Sequence, residues 1–230
     1  MIVCIPPTQQ AKIMWAPALP SKKKFAIQSS QMGLLIKFVA VYPKPYWKEM
    51  GYSGEIVSSG GTPVSPDCEG SPICITLDDS HENGFALVGF IGGKLAVQWA
   101  EKSQKLMEDA ILDHLAECFG SWAYENTNLT IKNWATEPFI EGSPICLPNV
   151  GTMHAFAALR TPVGNIHFGG TEAATAWIGY MEGAVQSGTR AALEVLQHIK
   201  PQSLSSTELM VNPTQLATFN VLLTIIVGTS

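Results

Sequence analysis

Arginine is almost missing from this 230-residue chain: Arg160 and Arg190 are the only two. Lysine and arginine together number 14 against 19 acids, for a net charge of −5. No basic domain or stripe is formed, which excludes a nucleic-acid surface, since that needs clustered cations to neutralise phosphates. The single basic run, Lys22-Lys23-Lys24, reads as a solvated loop. Charge of either sign is scarce, at 14% of residues, while apolar residues make up 46%. That balance excludes a disordered chain and predicts a well-filled core under a sparsely charged surface.

Cysteine is sparse too. Cys4, Cys68, Cys74, Cys118 and Cys146 are odd in number and match no zinc spacing. They predict a reduced, intracellular protein. Cys4 and Cys118 lie in apolar segments and read as buried thiols. Met1 to Ile5 is a brief apolar run without a basic leader or cleavage pattern, so no signal peptide is read there. Leu216 to Gly228 is apolar over only 13 residues, short of the roughly 20 that span a bilayer. It follows a Ser-, Thr- and Pro-rich linker from Pro201 to Thr214 and reads as a docking helix or part of a membrane anchor. Also lacking is any Gly-x-Gly-x-x-Gly, the loop that would hold a dinucleotide pyrophosphate.

What is present centres on Asn165 to Ile199. Asn165–Phe168 reads as a short buried strand, Gly169-Gly170 as a sharp turn, and Thr171–Ile178 as a connection. Gly179 opens a helix with apolar residues at Met181, Ala184, Val185, Gly188, Ala192, Val195, Leu196 and Ile199. Those steps of three and four predict one buried face, and Pro201 ends the helix. A helix N-terminus after a glycine turn suits an anion or an electron-rich ring edge. Elsewhere, Leu34–Tyr42 predicts a central strand, Ile73–Leu77 and Phe85–Ile91 two further strands, and Asn126–Trp134 another. Lys94–Phe119 predicts one long helix closed by Gly120. The fold class is mixed α/β (α+β).

Gly-Thr-Glu, a spacer, then Trp177-Ile-Gly-Tyr-Met-Glu-Gly-Ala-Val-Gln-Ser-Gly closely resembles the C-terminal flavin-binding signature of the flavin-containing amine oxidases, with wording most similar to the monoamine oxidases. Ile5-Pro-Pro-Thr followed by Lys12, Pro45-Tyr-Trp, Leu77-Asp-Asp, Gly89-Phe-Ile, Lys132-Asn-Trp134 and Arg160-Thr-Pro-Val-Gly follow in the family's order. The resemblance covers the C-terminal half of such an enzyme. It implies a substrate domain over 1–136, the C-terminal segment of a Rossmann-like FAD-binding domain over 137–200, and a linker with an apolar tail over 201–230.

The resemblance also implies the chemistry: oxidation of a small amine by FAD and oxygen, with release of hydrogen peroxide. Catalytic roles fall to Lys12, which holds a water against the flavin, Trp134, which packs near both, and Tyr180, an aromatic wall that guides the amine. Cofactor contacts fall to Gly170, Thr171, Glu172, Gly179, Tyr180, Met181 and Ala184. The substrate cavity falls to Met32, Tyr42, Val88 and Phe90. A homodimer and the mitochondrial outer membrane, reached through 216–228, are implied for the full-length enzyme. Two departures stand out. The family's flavin-linking cysteine is Ser143 here, with Cys146 three residues later, so FAD is expected to be non-covalent. The neighbouring cage aromatic is Pro144. The missing glycine loop and the start at Met1 read as a fragment, or as an inactive remnant that binds a partner. A non-covalent polyamine or amino-acid oxidase is the other alternative; the two arginines make a substrate carboxylate the weaker choice. No metal site is expected.

Overall fold

The computed structural model describes residues 1–60, 70–82 and 84–205. The chain forms two compact units, Met1–Met32 with Pro144–Ser230, and Gly33–Ser143. In chain order the first unit supplies β1 (Ile2–Val3), α1 (Pro7–Gln10), α2 (Ser21–Gln28) and β2 (Ser30–Met32). The second holds β3 (Leu35–Tyr42), α3 (Tyr46–Glu49), β4 (Ile56–Val57), β5 (Ile75–Asp78), β6 (Phe85–Gly92), α4 (Gly93–Ala100), α5 (Gln104–Phe119) and β7 (Asn128–Asn133). The chain then returns to the first with β8 (Cys146–Pro148), α6 (Met153–Phe156), β9 (His167–Phe168) and α7 (Met181–Ile199). The mixed α/β class read from the sequence is the class observed. The units part at different places from the boundary near 136. Residues 1–32 join the C-terminal segment because β1 pairs parallel with β9 and β2 antiparallel with β8.

The second unit is built on β3. Its residues alternate in burial along the whole strand, as a pleat requires. It is central in an antiparallel sheet of order β4-β5-β6-β3-β7. Ile36, Phe38, Ala40 and Tyr42 point to one side, where they meet Trp47, Trp99, Ile111 and Leu115 in the core. Gly89 sits opposite Phe38; a Cβ there would stand 2.1 Å from the Phe38 ring, so the ring occupies the space that a side chain would take. Tyr42, Trp47 and Trp122 pack with centroids 5.4–5.8 Å apart.

The single helix expected over 94–119 is two helices. Ser103 adopts an extended backbone, and its hydroxyl accepts the Leu106 N–H as an N-cap. A serine before the apolar repeat therefore restarts the helix rather than continuing it. Gly120 closes α5 at φ +99°. Cys118 is exposed, because α5 buries Met107, Ala110, Ile111, His114, Leu115 and Phe119 instead. Cys4 is exposed as well: Val3 is buried while its neighbours Ile2 and Cys4 are exposed. Both cysteines correct the reading as buried thiols. Cys68 lies outside the described residues.

The first unit departs furthest from its pattern. Lys23 belongs to no solvated loop; it lies on α2 and is 2% exposed. Its ammonium donates to the carbonyls of Ala158, Leu159 and Thr161 at 2.7–2.9 Å. It also stands 3.4 Å from the centre of the Phe168 ring, a cation–π geometry. On α7 the buried residues are Gly183, Ser187, Arg190, Ala191 and Glu194. Of the expected apolar face, Gly188, Val195 and Leu196 are half-buried and the rest point outward, with Met181, Val185 and Ile199 at 87, 63 and 73% exposure. Polar partners decide the orientation. Arg190 bridges Glu194 at 2.6 Å and donates to the carbonyls of Phe168 and Arg160, while Glu194 meets His167 at 2.9 Å.

Candidate active site

The glycine turn after β9 leads into the start of α7. Gly170 and Gly179 both hold φ at +91°, a conformation that side chains rarely adopt. Thr171 ties the two ends of the connection. Its hydroxyl accepts the Gly179 N–H at 2.6 Å and donates to the Tyr180 carbonyl at 3.2 Å. Glu172 is buried, and its carboxylate accepts the Cys146 N–H at 3.0 Å. Helix α7 begins after Tyr180, and no side chain caps it. Its first turn thus presents backbone N–H groups at a positive helix end, beside two glycines that let a ligand approach. The Ala184 N–H bonds the Tyr180 carbonyl at 3.2 Å. Met181 and Ala184 lie on the exposed side.

Tyr180 is 66% exposed, and its ring meets that of Trp177 edge to face with centroids 5.8 Å apart. Lys12 is exposed and follows α1, its N–H bonded to the Gln9 carbonyl at 3.1 Å. Met32 ends β2, with its sulfur 3.4 Å from the Cys146 sulfur. The first unit therefore gathers Gly170, Thr171, Glu172, Gly179, Tyr180, Met181 and Ala184 around one turn.

In the second unit Trp134 is half-buried at the end of β7, where the Asn133 side chain accepts the Ala135 N–H at 3.0 Å. The Lys132 ammonium lies 5.8 Å from its ring centre. Val88 and Phe90 pair with Val39 and Lys37 and so share one face of the sheet. Tyr42 points to the other face, into the core, and its hydroxyl donates to the Ala123 carbonyl at 3.1 Å. Burial holds that hydroxyl well above the usual tyrosine range. Met32 lies in the first unit; on this sheet Val88 and Phe90 share a face that Tyr42 does not.

Ser143 donates its N–H to the Gly33 carbonyl at 2.9 Å. The Cys146 thiol is fully buried against Met32 and the Thr8 hydroxyl at 3.6 Å, and burial raises its pKa. Sequence reasoning missed the Glu172–Cys146 bond, Lys23 and the Gln186 side chain that binds the turn before Tyr180. None of these carries a periodic or motif signal, because each joins residues that are remote in the chain or set in a loop.

The glycine turn, the buried Glu172 and the uncapped start of α7 thus lie together next to Tyr180. The chain belongs to the flavin containing amine oxidoreductase family, whose model matches residues 1–196. It is 37% identical over 198 residues to the probable flavin-containing monoamine oxidase A of Dictyostelium discoideum, covering 85% of this chain and 41% of that protein. It is 38% identical over 200 residues to the flavin-containing amine oxidase A of Equus caballus, covering 85% of this chain and 36% of that protein. Among solved structures, the cyclohexylamine oxidase of Brevibacterium oxydans IH-35A is similar at a TM-score of 0.78 and 32% identity, over 86% of this chain and 43% of that one. A putrescine oxidase bound to putrescine is similar at 0.76 and 30%, over 85% and 42%. The chain thus spans about two fifths of the length of the curated relatives that it matches.

Proposed function

We propose that this chain is the C-terminal part of a flavin-dependent amine oxidase, comprising the last segment of its flavin-binding domain and most of its substrate domain. The turn that joins Gly170, Glu172, Gly179 and Tyr180 at the uncapped start of α7 carries this reading. These residues fit one edge of an isoalloxazine ring: glycines admit it, and the helix start favours negative charge. Bound flavin would supply the oxidation of the carbon next to the amine nitrogen, with oxygen as the final acceptor. The protein's part is then to bind and orient. Tyr180 offers an aromatic face to the amine. Lys12 of the first unit would hold a water, and Trp134 is the aromatic contributed by the second. Val88, Phe90 and Met32 are the substrate contacts retained in the proposal, whereas the core position of Tyr42 suits packing.

The flavin is bound without a covalent link. Ser143 stands where the family's cysteine is expected, and the Cys146 thiol is buried against Thr8 and Met32. A diamine or other small primary amine fits the relatives, one of which is named for putrescine and another for cyclohexylamine. The reading includes a homodimer and the mitochondrial outer membrane for the longer enzyme. The tail at 216–228 lies outside the described residues, and among the described residues no helix is long and apolar enough to cross a membrane.

A second reading is a non-catalytic remnant that binds a partner. The outward apolar residues of α7 support it. The two separate in one experiment. The chain is produced with FAD, desalted, and its visible absorbance recorded before and after acid precipitation. A flavin band that leaves with the supernatant supports a non-covalent oxidase site, and flavin retained in the pellet overturns the non-covalent assignment. Soluble protein without a band favours the remnant, or a flavin site that the rest of the enzyme must complete.

A further inference from the structure

Tyr180 is exposed, so packing alone does not fix its ring. Its place is set by the loop before it. Trp177 holds φ at +55°, a region that a bulky residue occupies only when its surroundings impose it. The Tyr180 N–H donates to the Trp177 carbonyl at 3.0 Å. Gly183, in the first turn of α7, lies against the same carbonyl, and a Cβ there would stand 2.2 Å from the oxygen. Gln186 completes the arrangement from the next turn. Its Oε1 accepts the Thr175 N–H at 2.8 Å, the Thr175 hydroxyl at 3.2 Å and the Ala176 N–H at 3.3 Å. One side-chain oxygen therefore gathers three donors from the two residues that precede Trp177.

We propose that Gln186 is the positioning residue of the Tyr180 wall. It anchors residues 175 and 176 to α7, which holds Trp177 in its left-handed conformation. Trp177 in turn sets the Tyr180 backbone and buttresses its ring. The proposal rests on the flavin amine oxidase reading for what Tyr180 faces, but the anchoring itself does not. A carboxylate keeps an acceptor where Oε1 stands. Gln186→Glu keeps the anchor and Gln186→Leu removes it. Gly183→Ala disturbs the Trp177 carbonyl from the opposite side and so tests the same loop independently.

Amide hydrogen exchange of the 230-residue chain, without added ligand, decides the anchoring. Exchange at Thr175, Ala176 and Tyr180 should rise about tenfold or more in Gln186→Leu, as local opening becomes easier. It should stay at the wild-type rate in Gln186→Glu, with β9 and the second half of α7 unchanged throughout. FAD is then titrated, with flavin fluorescence as the readout. Gln186→Leu and Gly183→Ala should each weaken binding about tenfold, a difference of about 1.4 kcal/mol, and Gln186→Glu should not. Wild-type exchange at Tyr180 in Gln186→Leu overturns the proposal. So does loss of protection along all of α7, which would make Gln186 a general stabiliser. A wild-type chain that binds no FAD shows that this part alone does not hold the flavin, while the exchange rates still decide the role of Gln186.

Discussion

The two units bury opposite chemistry. The Gly33–Ser143 unit closes over a continuous apolar core, with Trp47, Trp99, Phe38, Ile91 and Leu115 fully enclosed. The unit formed by Met1–Met32 and the chain from Pro144 has smaller apolar clusters around Ala26–Phe156 and Val3–Phe168. Between its α2, β9 and α7 it buries Lys23, His167, Arg190 and Glu194. In one unit the hydrophobic effect selects which face turns inward. In the other, hydrogen-bonded charges select it, and the apolar side of α7 is left outside. The unit that carries the candidate flavin site is the one held by polar contacts.

Breaking the polar network should produce the largest effect. Arg190→Leu leaves the Glu194 carboxylate buried with only His167, and removes donors from the carbonyls of Phe168 and Arg160. The expected loss is about 3–5 kcal/mol, seen in urea denaturation as a first unit that melts before the second. Gly89→Ala attacks the apolar unit instead. Its Cβ meets the Phe38 ring, and the overpacking should cost about 1–3 kcal/mol, read in the transition of the second unit.

The comparison sharpens with pH. Burial lowers the Lys23 pKa to about 7, with the Arg190 charge adding and the Glu194 charge opposing. Unfolded, the same lysine keeps its proton to about 10.5. Between those values the unfolded chain binds more protons, so the stability of the first unit should rise with pH through that window and gain no such slope below pH 7. Stability measured from pH 7 to 9.5 should show the slope in the wild type and lose it in Lys23→Met. The smallest effect belongs to the outward side of α7. Val185→Gln should change stability by no more than about 0.5 kcal/mol, although the apolar spacing marks Val185 as core. A loss of about 2 kcal/mol on denaturation would return that face to the interior.

These differences show where the sequence could be read. Strand β3 was legible because its inward residues are apolar and alternate, and β5 and β6 because turn residues bound them. The body of α5 followed from Met107, Ile111 and Leu115, but its start did not, since Ser103 acts as a cap only once the chain before it bends away. Periodicity found α7 but did not find its buried face. The spacing of Met181, Val185 and Ile199 carries no information about Lys23 or His167, whose partners come from distant segments. The glycine turn that carries Gly170, Glu172, Gly179 and Tyr180 was legible as a motif. The Gln186 anchor was not, because a glutamine on a polar helix face has no pattern that distinguishes it from a solvated one.

The most direct test of the account is a titration of FAD into the purified chain, comparing the wild type with Tyr180→Ala by flavin fluorescence. Tyr180 is exposed, so the substitution should leave folding intact. The account predicts saturable quenching in the wild type and binding weakened by about tenfold or more, roughly 1.4 kcal/mol, in the variant. Equal binding by both proteins would contradict the placement of the flavin edge at the start of α7, and no quenching by either would contradict a flavin site held by this chain alone.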